Sequence, residues 1–208
     1  MKKLLTLLFL FNLIVAGTAL HAQGLLGHRY FGIEGGYVRV SNGATFDGFG
    51  AGAGINLPIL QEGIGLDFST NFGLTRLSEN SVDIDSHSVL GGLRAFMDPE
   101  GNVKPFVGVA FGWSESKVSA PGFQSETVDS FFTSYALGVE LSANQFGIRP
   151  SIGYQWFTDD DFEDVWSIGA SANYWIDENW SLTASAFYSD TDNDVDGYSI
   201  LGGILFAF

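Results

Sequence analysis

The sequence predicts an all-β fold, a closed antiparallel up-and-down β-barrel that crosses a membrane, and three observations support this prediction. Apolar residues alternate with small or polar residues over long runs, which is the pattern of half-buried strands. The apolar face is large and aromatic, whereas the opposite face is mostly Gly, Ser, Ala and Asn. The runs also exceed the roughly five or six residues of globular strands and match a tilted strand in a bilayer.

A soluble β-sandwich also alternates, but the roles of its two faces would be reversed. Such a sandwich buries bulky side chains between its sheets and exposes charge. The run 106–114 instead places Val107, Val109, Phe111 and Trp113 on one face and only Gly, Ala and Ser on the other. A small, polar face makes a poor core, whereas an apolar face turned toward lipid needs no protein partner. The pattern therefore favours the membrane barrel.

The first 22 residues are predicted to be a secretory signal peptide. Two lysines, a mostly apolar stretch and the small residue Ala22 follow one another in the order that such peptides require. Ala19 is the alternative cleavage point. The apolar stretch is short for a transmembrane helix. We therefore expect residues 1–22 to be removed and residues 23–208 to form one barrel domain.

The composition excludes several function classes. The chain has no Cys, which excludes disulfide-stapled modules, cysteine metal sites and thiol nucleophiles. It has 24 Asp and Glu against 9 Lys and Arg, a net charge of −15, and without the two lysines of the predicted signal peptide the net charge is −17. Such an acidic chain lacks the basic surface that nucleic acids require, so we expect no nucleic-acid partner.

The alternating runs predict ten strands, each bounded by turn-forming residues. The predicted strands are 30–40, 46–57, 63–76, 85–97, 103–114, 129–142, 146–157, 165–176, 180–189 and 197–208. Short connections are predicted at 58–62, 98–102, 143–145 and 177–179, and longer ones at 41–45, 77–84, 115–128, 158–164 and 190–196. Eight strands are the alternative, and the Gly-rich run 48–54 is the weakest strand by propensity.

The end of the chain carries the residues that connect it with a known class. Within 198–208, apolar residues occupy alternate positions up to the aromatic last residue: Ile200, Ile204, Phe206 and Phe208. Gly202 departs from this pattern. Together with the signal peptide and the strands, the pattern resembles the small outer-membrane β-barrel proteins of Gram-negative bacteria, the porin-like class that includes the outer-membrane protein A and X types. The resemblance implies an outer-membrane location, periplasmic termini, long outer loops and recognition of the last strand by the barrel-assembly machinery.

Six charged residues fall on the small face, which would line the lumen: Glu34, Asp67, Arg94, Lys104, Glu140 and Arg149. Glu140 and Arg149 lie at nearly equal distances from the turn at 143–145, so we expect them to face each other. Asp67 and Arg94 lie similarly on either side of the 77–84 connection, so we expect them to face each other as well. Because buried charges survive best when paired, one interpretation is a set of ion pairs that holds the barrel together and blocks it. The other is a charged constriction in a small pore, since ten strands enclose more space than eight.

Aromatic residues near the strand ends are predicted to form two girdles at the membrane interfaces. The outer girdle would contain Tyr37, Trp113, Trp156, Trp166, Tyr188 and Tyr198, and the inner one Phe106, Phe146, Tyr174, Trp175, Trp180 and Phe208.

An enzyme is the remote alternative. Asp83, Asp85 and His87 invite comparison with barrel proteases that use Asp pairs and an Asp–His dyad at the rim. However, only His28 and His87 follow the predicted signal peptide, and no second Asp-x-His element occurs. His87 also lacks a Ser two positions later, the spacing expected of a barrel lipid esterase. General acid–base catalysis needs a partner within hydrogen-bond reach, and none is indicated, so we expect no enzymatic activity.

Two acidic segments are predicted to lie in neighbouring outer loops. Residues 192–197 match the first half of a calcium-loop pattern, but the twelfth position is Gly203 instead of the required Glu. We interpret both segments as solvated loops. The sharper hypothesis is weak divalent-cation binding, bridging to lipopolysaccharide phosphates, by Asp190, Asp192, Asp194 and Asp196 together with Asp159, Asp160 and Asp161. No other cofactor is expected.

These observations predict an outer-membrane barrel with a structural or surface-interaction role, such as adhesion or envelope integrity. Its expected partners are outer-membrane lipid, lipopolysaccharide and the assembly machinery. The alternative is a narrow porin-type channel for small solutes or ions. The sequence names no extracellular ligand.

Overall fold

The period-two pattern becomes ten strands in the computed structural model, which describes residues 26–41, 44–98, 100–122, 124–158, 164–191 and 195–208. The strands are β1 (Tyr30–Ser41), β2 (Thr45–Glu62), β3 (Ile64–Glu79), β4 (Val82–Met97), β5 (Val103–Ser119), β6 (Glu126–Ala143), β7 (Phe146–Phe157), β8 (Val165–Trp175), β9 (Trp180–Thr191) and β10 (Asp196–Ala207). Each strand pairs antiparallel with the next, and β1 pairs with β10, which closes the barrel. The prediction of ten strands is confirmed and the eight-strand alternative is wrong.

The two faces of each strand differ as the sequence predicts. In β3, Phe68, Phe72 and Leu74 are exposed, whereas Asp67 and Asn71, which point to the opposite face, are buried. Large exposed apolar side chains occur on all ten strands. An apolar outer surface of this extent is incompatible with water, so the barrel spans a membrane with this face in lipid. Among the described residues no helix is long and apolar enough to cross a bilayer.

We call the end where β1 begins and β10 ends the terminal end, and the opposite one the loop end. At the terminal end, β2 and β3 meet at Gly63, whose φ of 74° is a left-handed conformation that glycine adopts without strain. The predicted turn at 58–62 is therefore wrong, because β2 continues to Glu62. The prediction failed because Pro58 lies within the strand, where the register shifts between Pro58 and Leu60 and a bulge tolerates the missing N–H.

At the loop end, the predicted connection 77–84 is also wrong. β3 and β4 are joined by Asn80 and Ser81 alone, with φ values of 47° and 70°. Two consecutive left-handed residues form the tight hairpin turn that fits the twist of paired strands. The predicted connection 115–128 is also too long, because β5 reaches Ser119 and β6 begins at Glu126.

Most of the predicted aromatic girdle residues face outward, but two do not. Phe106 is 3 % exposed and lies inside the barrel, because it shares the inward face of β5 with Lys104. Trp175 lines a pocket at the terminal end instead of the lipid-facing surface, because its neighbour Tyr174 holds the outward position on β8.

Candidate functional site in the barrel lumen

Five of the six charges predicted to line the lumen lie within four residues of the terminal-end turns and are almost fully buried. Asp67, Arg94, Lys104, Glu140 and Arg149 are between 1 % and 7 % exposed. Glu140 lies between two cations, with Lys104 Nζ at 3.9 Å from Oε1 and Arg149 Nη1 at 3.7 Å from Oε2. The expected proximity of Glu140 and Arg149 is therefore confirmed. We call these five residues the charged layer.

The second expected pair of the charged layer is also confirmed in its register. Asp67 and Arg94 are direct partners across β3 and β4. The guanidinium of Arg94 lies 5.6 Å from the ring centroid of Phe106, a cation–π distance. Arg149 donates to Ser171 Oγ at 3.2 Å. Hydrogen bonds to a buried charge offset part of the free energy that the charge loses when it leaves water.

Glu34 differs from the other five charges. It lies between Gly203 on β10 and Gly52 on β2, and its side chain is half-buried. Within the described ranges it makes neither a hydrogen bond nor an ion pair. The structure therefore places Glu34 in the lumen, as predicted, but outside the ion-pair network.

The residues before β1 close the terminal end of the lumen, which the sequence did not indicate. Leu26 N–H donates to both carboxylate oxygens of Glu140, at 3.1 and 3.3 Å, and Gly27 N–H donates to Asp67 Oδ2 at 2.9 Å. Lys104 Nζ donates to the Leu26 carbonyl at 3.2 Å. The Leu26 side chain is 0 % exposed and packs in a cluster with Phe96, Phe106 and Ala136. The charged layer and residues 26–27 thus form one closed assembly.

An apolar cluster fills the lumen from its middle to the loop end, and we call it the loop-end plug. It contains Val38, Val40, Phe46, Leu77, Ile84, Leu90, Ala110, Val118, Phe132, Phe157, Val165, Val195 and Leu201. Large apolar side chains therefore face inward together with the small and polar residues that the sequence indicated. A signal was present in the pairs Phe131–Phe132 and Trp156–Phe157, because two consecutive aromatic residues in a strand must point to opposite faces.

Four inward-facing glycines are covered by phenylalanine rings from the neighbouring strand. The direct cross-strand pairs are Gly65–Phe96, Gly138–Phe106, Gly112–Phe132 and Gly169–Phe187. A Cβ on any of these glycines would lie 2.1 to 2.6 Å from a ring atom. Each ring therefore occupies the space that a side chain would need. Of the two outcomes that inward glycines allow, an open channel or filling by large neighbours, the structure shows the second at these positions.

Polar side chains also face the lumen beside residues of the loop-end plug, as where Asn71 pairs with Leu90 and Ser185 with Leu201. Several of their buried atoms have no hydrogen-bond partner within the described residues: both amide atoms of Asn71, Gln155 Nε2, Ser185 Oγ and Ser199 Oγ. Buried polar atoms without a partner are costly, and water ordinarily satisfies them. These positions are therefore suited to hydration, even though both ends of the lumen are closed.

A pocket of about 400 Å³ opens at the terminal end, between the β6–β7 and β8–β9 turns. Lys104 and Glu140 contribute to it, and the rings of His28 and Trp175 lie beside each other, tilted, with centroids 5.9 Å apart. Partial burial and the cation of Lys104 lower the pKa of His28, with Asp67 opposing this shift. The imidazole therefore stays neutral at neutral pH.

The residues compared with a protease site are on the outer wall. His87 Nε2 lies 3.6 Å from Glu115 Oε1, and the His87 ring contacts Trp113 at 5.4 Å. Asp83 and Asp85 each approach Arg76, with closest N–O distances of 3.5 Å. The structure therefore engages these residues in surface pairs on the outward face of β3, β4 and β5, and does not converge them on a rim cleft.

Of the candidate cation ligands, only Asp190 and Asp196 lie in the described residues, and they are direct partners across β9 and β10. Asp159, Asp160, Asp161, Asp192 and Asp194 lie outside the described residues. Within the described ranges, no group of three or more Asp, Glu and His side chains is arranged to hold a metal. The proposed cation site remains a prediction.

The residues of the predicted assembly signal lie on the lipid-facing side of the last strand and just beyond it. Ile200, Ile204, Phe206 and Phe208 are 37 % to 59 % exposed. Their outward orientation agrees with the alternation seen in the sequence.

Comparisons with known proteins agree with this architecture. A family model described as "Putative MetA-pathway of phenol degradation" matches residues 55–199. No curated protein matches the sequence. Two solved structures are similar over nearly the whole chain: the transport unit of the autotransporter AIDA-I from Escherichia coli (TM-score 0.60, 12 % identity, 100 % of this chain and 99 % of that one) and the translocator domain of the autotransporter NalP from Neisseria meningitidis (TM-score 0.56, 12 % identity, 99 % and 96 %).

These structural matches show the fold. The apolar outer face shows that the barrel spans a membrane, and closed barrels of this kind lie in the bacterial outer membrane.

Proposed function

The chain belongs to the family described as "Putative MetA-pathway of phenol degradation", and because the lumen of its barrel is closed at both ends, we propose that it acts in the outer membrane as a structural or surface-interaction protein. The observation that supports this proposal is the two-part closure of the lumen. The charged layer with residues 26–27 closes the terminal end, and the loop-end plug closes the other. A lumen filled by its own side chains transmits no solute. The function would then depend on the outer surface and the loops.

Single-channel conductance in planar bilayers tests this role. We expect the refolded protein to insert and to give no steady conductance, with an open porin as positive control under the same conditions. Steady steps proportional to salt concentration, which fall when Arg94 or Glu140 is changed, would show that the charged layer lines a conducting path. The structural role would then be wrong.

A narrow channel for small phenolic solutes is the second candidate. The family description supports it, as do the polar atoms of the lumen that have no hydrogen-bond partner within the described residues, because a transmitted solute needs polar groups along its path. The test is the influx of a membrane-impermeant phenolic carboxylate into liposomes that contain the protein. Influx no faster than in empty liposomes would exclude this candidate.

We propose that the barrel has no enzymatic activity. The engagement of Asp83, Asp85 and His87 on the outer wall supports this, as does the position of His28 at the opposite end. Incubation of the refolded protein with peptide and lipid-ester substrates tests it. Turnover that is lost in His87→Ala would contradict the proposal.

The proposed partners are outer-membrane lipid, lipopolysaccharide and the barrel-assembly machinery. The exposed apolar face supports contact with lipid. The lipid-facing side chains of the last strand would be available to the assembly machinery. Reduced membrane insertion of Phe208→Ala in cells, with unchanged refolding in detergent, would distinguish recognition from stability.

A further inference from the structure

We propose that the terminal-end pocket binds a small organic cation, of the primary or quaternary ammonium class. The pocket has about 400 Å³ and is lined by His28, Lys104, Glu140, Ser142, Asn144, Trp175, Asp177 and Glu178. Its volume lies in the range of small-molecule sites. Its floor is part of the charged layer that closes the terminal end of the lumen, and the proposed binding does not require that the barrel conducts.

The floor of the pocket consists of two buried side chains of opposite charge, Lys104 and Glu140. Lys104 and Glu140 are 7 % and 2 % exposed. Lys104 is held by the Leu26 carbonyl, and Glu140 by the Leu26 N–H and Arg149. The charges of the two lining residues, Lys104 and Glu140, cancel each other, and the floor is rigid because both side chains are buried.

The rim of the pocket determines the charge of its occupant. Asp177 and Glu178 add two carboxylates, and the lining as a whole carries three carboxylates against one lysine. His28 adds no positive charge at neutral pH, because its pKa is lowered by partial burial and by Lys104. A negative rim attracts cations and repels carboxylates and phosphates.

Trp175 and His28 form the aromatic wall. Their rings are tilted by 46° at a centroid distance of 5.9 Å. Tryptophan is the best cation–π partner among the side chains, and its face, combined with nearby carboxylates, is the known chemistry of ammonium recognition. An aromatic wall and an acidic rim on one pocket therefore favour an organic ammonium over a hydrated metal ion.

The test is a calorimetric titration of the refolded protein in a maltoside detergent, which avoids choline headgroups. Choline is the probe, and 3,3-dimethylbutan-1-ol, its uncharged carbon isostere, is the matched ligand. We expect choline to bind and the isostere to give no heat. Trp175→Leu should weaken choline binding by at least about threefold, and Glu178→Gln by about threefold.

Two variants control for unspecific effects. Glu100→Gln removes an exposed carboxylate from another turn at the same end, and Trp166→Leu removes an exposed tryptophan from the outer wall. Both should bind choline like the wild type. Asp177 is left unchanged, because its Oδ1 accepts the N–H groups of Asn179 and Trp180 and so holds the turn.

Three results would overturn the proposal. No heat from choline in the wild type would exclude the site. Equal binding of the uncharged isostere would exclude recognition of the charge. Unchanged choline binding in both Trp175→Leu and Glu178→Gln would place the site elsewhere.

Discussion

The ring of Phe132 covers Gly112, its direct partner across β5 and β6, so that a Cβ at position 112 would be 2.2 Å from Phe132 Cζ. Aromatic rings that cover a cross-strand glycine compensate for the packing that glycine lacks. The same relationship recurs at three other glycines of the inward face. Phenylalanine rings therefore fill part of the interior of the barrel, in the space that the glycines leave free.

Gly112→Ala should destabilise the barrel by about 1–3 kcal/mol, because the new methyl group overpacks the lumen against the Phe132 ring. Gly108→Ala is the matched control on the same strand and face, since its Cβ would have no neighbour closer than 3.6 Å. Urea unfolding in detergent micelles, followed by tryptophan fluorescence, measures both. Equal stabilities of the two variants would contradict the role of the ring.

Glu140→Gln should cost about 3–5 kcal/mol, because it leaves the buried cations Lys104 and Arg149 without their shared carboxylate. Glu100→Gln, at an exposed turn, should change the free energy of unfolding by less than about 0.5 kcal/mol. The same urea titration compares them. A loss at Glu140 as small as that at Glu100 would mean that the ion pairs contribute little.

Ser81→Gly should stabilise the barrel by about 1 kcal/mol, because the φ of 70° at Ser81 is a conformation that costs an L-residue energy but not glycine. Ser81→Ala keeps the Cβ and should give no such gain. Denaturant midpoints of the two variants provide the comparison. If alanine stabilises as much as glycine, the backbone conformation is not the cause.

Leu26→Ala should cost about 2–5 kcal/mol, since it empties the space that a fully buried leucine fills among Phe96, Phe106 and Ala136. Arg29→Ala, three residues later and exposed, is the control and should be nearly neutral. Thermal unfolding monitored by circular dichroism measures the difference. A neutral Leu26→Ala would show that the segment before β1 is not packed as described.

The fold was predictable because the bilayer imposes its pattern on every strand. Each of the ten strands must turn an apolar face to lipid, so alternation alone locates them. Strand ends were less predictable. Outside the lipid a strand has no apolar requirement, so charged residues such as Glu79 and Asp83 belong to β3 and β4 although they were predicted to lie in a loop.

The candidate site was predictable in part. Equal distance from a turn was enough to bring Glu140 and Arg149 together. The loop-end plug could not be recognised by counting small residues, because Phe132 fits in the lumen only by virtue of Gly112 on another strand. The contact of Leu26 with Glu140 was invisible to strand periodicity, because Leu26 belongs to no strand and binds through its backbone N–H.

The backbone contacts of Leu26 and Gly27 also bear on the order in which the barrel assembles. Their acceptors, Glu140 and Asp67, lie 114 and 40 residues further along the chain. Such distant acceptors come within reach only after the intervening strands are in register, because bringing them together earlier would carry the full entropic cost of closing long loops. Docking of residues 26 and 27 thus follows the pairing of the strands that carry their acceptors, β3 and β6.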